Sequence, residues 1–320
     1  MKRKAIAILL GGIVATTALA QDNYPSKPVT MVVPQAPGGA NDTVGRILAH
    51  RLTENLGKQF VIDNRPGAGG NIGTAAVAKA PKDGYTLLVT VNSAHVINPS
   101  LYKNTGFDPV KDFEPVTPFA TVAYVWVAHP EFQAKSMKEL IDMAKAKPGS
   151  IAYASAGNGT LNHLLGEMLK TQAGIDLLHV PYKGAAASVT DVIAGRVPVS
   201  VQSMPSAVSF IQAGKLKVLG VANEKRVNAL PDVPAVSETV KGYGATPWYG
   251  VFAPAGTPKP IIAKLHAEIV KALGDKDLQE KMKAQGADLT HSTPEQFAAL
   301  VKEELPKWAK LVKASGAQID

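Results

Sequence analysis

The sequence predicts an α/β protein of two lobes joined by two chain crossings. Three observations carry this prediction. Short apolar runs alternate with helical stretches in a βαβαβ rhythm, the rhythm restarts after Pro118, and a late strand-like run, Trp248 to Ala253, returns the chain to its first lobe before a helical C-terminal part. The lobes expected from this layout are 21–122 with 246–320, and 123–245. The alternation implies mostly parallel sheets covered by helices.

In the first lobe the expected strands are Val29–Val33, Phe60–Ile62 and Tyr85–Thr90. Between them, Thr43–Leu56 has helical spacing through Val44, Ile47, Leu48 and Leu52, and Gly73–Lys79 forms the next helix. The second lobe opens with a strand at Val122–Val127 and a helix at Ser136–Ala146. Ser136 is its N-cap, Glu139 completes a capping box, and Pro148-Gly149 ends it. Strands follow at Ile151–Ala154, Leu177–Val180, Val197–Val201 and Lys217–Val221, with helices at Thr160–Thr171 and Ala185–Ala194. Helices at Ile261–Leu273, Asp277–Ala284 and Pro294–Ala314 complete the chain, and no fixed-period repeat runs through it.

The first twenty residues read as a leader. Lys2, Arg3 and Lys4 precede an apolar stretch, and Ala18-Leu19-Ala20 is an A-x-A-like site, so cleavage is expected after Ala20. That stretch is short for a hydrocarbon core of about 30 Å. The mature chain, Gln21 to Asp320, is long enough for one large or two modest domains. It contains no cysteine, so it has neither a disulfide framework nor a thiolate metal site. The whole chain carries +8, of which the leader supplies three charges. The remaining basic residues are scattered and not interleaved with aromatics, which favours small anions over nucleic acid.

The motif that recurs is a strand, a glycine turn and a helix start. It occurs at Val33-Pro34 leading through Gln35 to Asp42, at Ala154 leading through Ser155 to Thr160, and at Tyr182 leading through Lys183 to Ala187. Free N–H groups and the positive end of the helix dipole favour an anion at such a junction, and glycine lets it approach the backbone. Open α/β sheets bind ligands at the carboxyl ends of their strands, where these junctions lie. Asn41 or Asp42 is expected to cap its helix, with the ligand on the opposite side of the backbone.

Other motifs carry less. Asn64 to Gly73 invites a dinucleotide reading, but Ile72 stands where the third glycine should be, so a glycine-rich turn into a helix is the plainer account. The histidines lack metal-ligand spacing. His95, beside Ser93 on a strand-end loop, is a candidate for lining a cleft, and Trp248 and Tyr249 either line it or pack a core. No G-x-S-x-G elbow marks a nucleophile.

Seven marks together carry a resemblance. They are Tyr24-Pro25 with Lys27-Pro28, Pro37-Gly38-Gly39, Asp63 to Gly70, Lys82 to Leu88, Pro181-Tyr182-Lys183-Gly184, Ala229 to Pro234, and Pro254 to Pro258. The chain resembles the Bug family, the TctC-like substrate-binding receptors of tripartite tricarboxylate transporters, over nearly all its mature length. The resemblance implies an α/β type II periplasmic-binding-protein fold with the ligand cleft between lobes. It also implies a carboxylate held by backbone amides and ordered water, and a membrane permease as partner. It implies no catalytic residue, cofactor or metal.

The ligand-binding candidates are Gly38, Gly39, Ala40, Asn41, Asp42, Ser93, His95, Ser155, Gly157, Asn158, Gly159, Thr160, Lys183, Gly184, Ala185, Ala186 and Ser203. Three readings remain at this point. The chain is a periplasmic carboxylate receptor, a receptor for a neutral or cationic solute on the same fold, or a secreted hydrolase using Ser93 or Ser155 with a histidine.

Overall fold

A computed structural model describes residues 24–315. The expected leader and its cleavage site lie outside the described residues. Strands β1 (Val29–Val33), β2 (Phe60–Asn64), β3 (Thr86–Val91), β4 (Phe113–Val122), β10 (Trp248–Pro254) and β11 (Ala287–Leu289) form one sheet. Strands β5 (Tyr124–Ala128), β6 (Ala152–Ser155), β7 (Leu178–Pro181), β8 (Val199–Ser203) and β9 (Lys217–Val221) form the other. The orders are β11-β4-β10-β3-β1-β2 and β7-β6-β8-β5-β9.

Both sheets are mixed, which corrects the expectation of mostly parallel ones. β2-β1-β3 and β7-β6-β8 are parallel trios. β10, β4 and β11 run antiparallel in the first sheet, as does β5 between β8 and β9 in the second. β5 and β10 are the strands by which the chain enters each sheet from the other, without the crossover helix that a parallel pairing needs.

The expected strand across Val122–Val127 is broken at Ala123. Its N–H donates to Gly286 O at 3.0 Å and its carbonyl accepts from Met204 N–H at 2.8 Å, so the chain turns from β4 into β5 there. β4 itself begins at Phe113, although Pro115 and Pro118 argue against a strand. The register against β10 shifts beside both prolines, and such irregularities are where a strand tolerates proline.

The helices are α1 (Ala40–Leu56), α2 (Asn71–Ala78), α3 (Asn98–Leu101), α4 (Met137–Ala146), α5 (Leu161–Ala173), α6 (Ala185–Ile193), α7 (Met204–Gln212), α8 (Lys259–Leu273), α9 (Lys276–Ala284) and α10 (Pro294–Ser315). α7, which directly follows β8, is a helix the sequence reading did not anticipate. Its first turn contains Pro205, which suits a position where no N–H partner exists. Among the described residues, no helix is long and apolar enough to cross a membrane.

The central parallel strands β1 and β3 are mostly apolar because both their faces are covered, whereas β2 and β7 at the sheet edges are partly exposed. Met31, Val32, Val33, Leu87, Leu88 and Val89 are all fully buried. The two passages between the sheets are tied to each other. Asn223 accepts Tyr124 N–H at 2.7 Å and donates to Val122 O at 3.1 Å, which holds the second passage against the first.

Candidate ligand-binding cavity

The three glycine junctions converge on one cavity of about 560 Å³ between the two sheets. At each junction a strand ends, the chain turns, and a helix starts with its N-terminus at the cavity wall. α1 follows Gly39, α5 follows Thr160 and α6 follows Gly184, and none of these three N-caps makes a side-chain hydrogen bond to its helix. Thr160 spends its hydroxyl on Gly157 O at 2.7 Å. The first N–H groups of all three helices thus have no side-chain acceptor, and they abut the cavity.

Eleven of the sequence-predicted site residues line this space: Gly39, Ala40, Asn41, Ser93, Gly157, Asn158, Thr160, Lys183, Gly184, Ala185 and Ser203. Residues of both sheets meet at its rim, where Tyr102 O–H donates to Asn158 O at 3.3 Å and Ser206 O–H donates to Gly38 O at 3.4 Å.

The other six candidates stand behind or beside the wall. His95 corrects the expectation of a cleft residue. It is fully buried within the first lobe, with its ring 4.2 Å from Phe252 and 5.0 Å from Phe113 between centroids, and Nε2–H donates to Pro109 O at 3.0 Å. Burial pushes its pKa down to about 4, against the weaker upward pull of that carbonyl.

Asp42 is not the N-cap; Gly39 is. The Asp42 carboxylate sits in the first turn of α1 and accepts from Gly38 N–H at 3.0 Å, Arg46 at 2.9 Å and Asn64 at 3.0 Å. Burial alone would raise its pKa, but the Arg46, Gly38 and Asn64 contacts outweigh it and hold the pKa low. The negative charge therefore faces Arg46 and does not compete with an anion in the cavity. Ser155 and Gly159 bond to His179 and His163 behind the wall, Gly38 N–H donates to Asp42, and Ala186 is exposed beyond Gly184.

Sequence reasoning missed one wall. The turn Pro66–Gly70 lines the cavity, with positive φ at Gly67, Ala68, Gly69 and Gly70 in succession. A Cβ on Gly69 would come 2.9 Å from the Tyr102 hydroxyl. The run of glycines signalled a turn, but not which side of it faced the ligand.

Tyr124 and Tyr249 form the floor, one beside each passage between the sheets. Their hydroxyls are 3.1 Å apart, so one donates to the other and one O–H remains for the cavity. Burial pushes Tyr124 up to about 12 and Tyr249 well above its ordinary value, so both stay protonated donors at neutral pH. Trp248 instead joins the His95 cluster, its indole donating to Glu304 at 2.9 Å. Among the lining residues there is no Asp, Glu, Arg or His, and Lys183 is the only formally charged one.

Residues 44–317 match the family described as the tripartite tricarboxylate transporter family receptor. The chain belongs to this family. It is similar to the periplasmic binding protein BugD, at 39% identity and a TM-score of 0.87 over 92% of this chain and 99% of that one. It is similar to Rpa4515 of R. palustris, solved with adipate, at 35% identity and a TM-score of 0.88 over 92% and 98%. It is also similar to MatC of Rhodopseudomonas palustris, solved with malate, at 31% identity and a TM-score of 0.85 over 90% and 100%. The receptor family and these neighbours are binding proteins, so the chain is a periplasmic-type solute receptor and the hydrolase reading is set aside.

Proposed function

We propose that the cavity takes a small organic carboxylate and that the protein delivers it to a membrane permease. The observation that carries the ligand class is the set of three helix N-termini, at Gly39, Thr160 and Gly184, that face one cavity without side-chain caps. A carboxylate oxygen accepts the N–H bonds those helices offer, and the free tyrosine O–H on the floor adds a donor. The absence of acidic side chains from the lining argues against a cationic solute. The adipate and malate held by the two R. palustris relatives support a carboxylate.

The lobes proposed to close on the solute are 21–122 with 246–320, and 123–245, bending at the passages beside Tyr124 and Trp248. Export through a leader cleaved after Ala20 completes this reading. The ligand test is a thermal-shift screen of organic acids, adipate and malate included, beside their neutral amides. A ligand at about 100 times its dissociation constant adds about 2.7 kcal/mol, so at least one acid is expected to stabilise the fold and its amide is not. Amides that stabilise as well as acids would overturn the carboxylate reading.

A further inference from the structure

Behind the turn Ser155–Thr160 lies a polar cluster, buried at Ser155 and His163 and half-buried at His179, that no contact with the cavity explains. His163, on α5, is within 3.3 Å of Gly159 N–H through Nδ1. A backbone N–H can only donate, so this Nδ1 is the acceptor and carries no proton. His179, on β7, stacks on His163 with ring centroids 4.3 Å apart, and its Nε2 is 2.7 Å from Ser155 Oγ. Ser155 is fully buried and its oxygen already accepts Gly157 N–H at 3.1 Å. Its own O–H needs an acceptor, and His179 Nε2 is the atom within reach.

The two rings therefore hold both ends of one turn. His163 fixes Gly159, His179 fixes Gly157 through Ser155, and between them Asn158 and Thr160 present α5 to the cavity. We infer that His163 and His179, as neutral acceptors, are positioning residues for the solute-binding turn, and that acidification weakens solute binding by protonating them. This rests on the carboxylate reading of the cavity for its binding consequence, but not for the hydrogen bonds themselves.

Protonation turns each acceptor into a donor facing a donor. Gly159 N–H and the Ser155 hydroxyl then lose their partners in a buried place, where an unmade bond is costly. The surroundings give a second positive charge little support. Glu167, on the same helix, already accepts Tyr153 O–H at 2.7 Å and pairs with Lys170 at 3.1 Å. Tyr153 stacks on His179 from β6. Burial lowers the pKa of both rings, with Glu167 pulling them up and Lys170 down, and His163 lowers His179 further, to about 4. A competing effect has the opposite sign. A cation behind the turn would attract an anion in the cavity, so tighter binding in acid would mean that the charge outweighs the lost geometry.

The test uses the mature chain, 15N-labelled. Long-range histidine spectra near neutral pH are expected to find Nδ1 of His163 and Nε2 of His179 unprotonated. On titration towards about pH 4, the Gly157 and Gly159 amide signals are expected to move with the ring signals. A proton on either of those nitrogens at neutral pH, or glycine amides that ignore the rings, overturns the assignment without reference to any ligand. Calorimetry with adipate then reads the binding consequence. His163→Leu is expected to weaken adipate binding about tenfold near neutral pH, the loss of one hydrogen bond. His163→Asn places a non-titrating acceptor at the δ position, so it is expected to keep the affinity. The double variant His163→Asn with His179→Gln is expected to lose the extra weakening in acid, leaving only the titration of adipate itself. Unchanged acid weakening in the double variant, or wild-type binding that tightens in acid, overturns the inference. If His163→Leu does not fold, the double variant still decides. If adipate fails to bind the wild type at any pH, the ligand is not adipate, and the ring and amide titrations judge the positioning role alone.

Discussion

The helices that begin at the cavity and those that begin elsewhere solve the same problem in opposite ways. α4 is capped by Ser136, whose oxygen accepts Glu139 N–H at 3.2 Å, and α9 by Asp275, which accepts Leu278 N–H at 3.0 Å. α10 has a reciprocal pair, in which Thr293 accepts from Gln296 N–H and Gln296 accepts from Thr293 N–H. α1, α5 and α6 have no such side chain. α8 is uncapped too, but Pro260 in its first turn has no N–H to satisfy. α3 and α7 likewise lack a side-chain cap and carry proline in the first turn, and the uncapped α2 begins at Gly70, which also lines the cavity. A missing cap thus becomes a binding feature when several of them face one space.

The largest break in this contrast is Gly184→Val. Gly184 has φ of +125°, and a Cβ there would approach Ala36 of the opposite lobe to 2.9 Å. A branched residue both strains the turn and wedges the lobes apart at the mouth of the cavity. Solute binding is expected to fall at least about 100-fold, on the order of 3 kcal/mol, with circular dichroism unchanged. A folded variant with normal affinity would remove the backbone-cradle account.

His95 gives the next contrast, between a histidine that serves the core and the pair that serves the turn. Its folded pKa of about 4 lies below the ordinary value of 6.5. The unfolded chain therefore binds the proton more readily, so the stability tied to this ring is complete above about pH 6.5 and is lost as pH falls towards 4. Between about pH 7 and 5 the loss is on the order of 2 kcal/mol. Urea unfolding of His95→Leu is expected to lack that part of the pH dependence, while its affinity for solute near neutral pH is unaltered. A cavity role for His95 would appear instead as weakened binding.

The sequence carried the strand–helix alternation and the three junctions because both depend on local pattern: β-branched runs, glycine after a strand, and helical spacing. It did not carry orientation. His95 follows Ser93 in the chain, yet a π-helical turn over Ser93–Ile97 sends one residue to the cavity and the other into an aromatic cluster. Tyr124 and Tyr249 are 125 residues apart and meet only because two sheets share two passages. His163 and His179 looked like unrelated single histidines, since nothing local pairs a helix residue with the next strand. Nor did the sequence carry β4, whose two prolines are tolerated because the register against β10 shifts beside them.

Gly39→Asp tests whether the missing caps matter for charge. Gly39 has φ of −82° and ψ of 169°, and a Cβ would meet only Ala36 O at 3.5 Å, so aspartate fits as an ordinary N-cap. Replacing glycine at a cap changes stability by a few tenths of a kcal/mol. Its carboxylate would occupy the N–H groups of α1 and repel an anion, so affinity is expected to drop about tenfold, roughly 1.4 kcal/mol. Equal affinity would mean that α1 does not face the solute's charge.

The smallest effect is expected at a cap remote from the cavity, and it is the control for all the others. Ser136 is half-buried at the start of α4, and its hydroxyl oxygen is the acceptor for Glu139 N–H. The Glu139 carboxylate reaches back to Lys135 N–H at 2.8 Å, one residue beyond the cap that a capping box would bond. Ser136→Ala removes one acceptor and leaves that second bond in place. Stability is expected to fall by about 1 kcal/mol, within the range for lost caps. Neither Ser136 nor any residue of α4 lines the cavity, so solute affinity is expected to stay within about twofold of wild type, the scatter typical of uncoupled sites. Urea unfolding and calorimetry on the same preparation separate the two quantities. A variant that loses affinity in proportion to stability would mean that helix-start hydrogen bonding affects binding through the fold as a whole, and the contrast between the two sets of helices would carry no functional meaning.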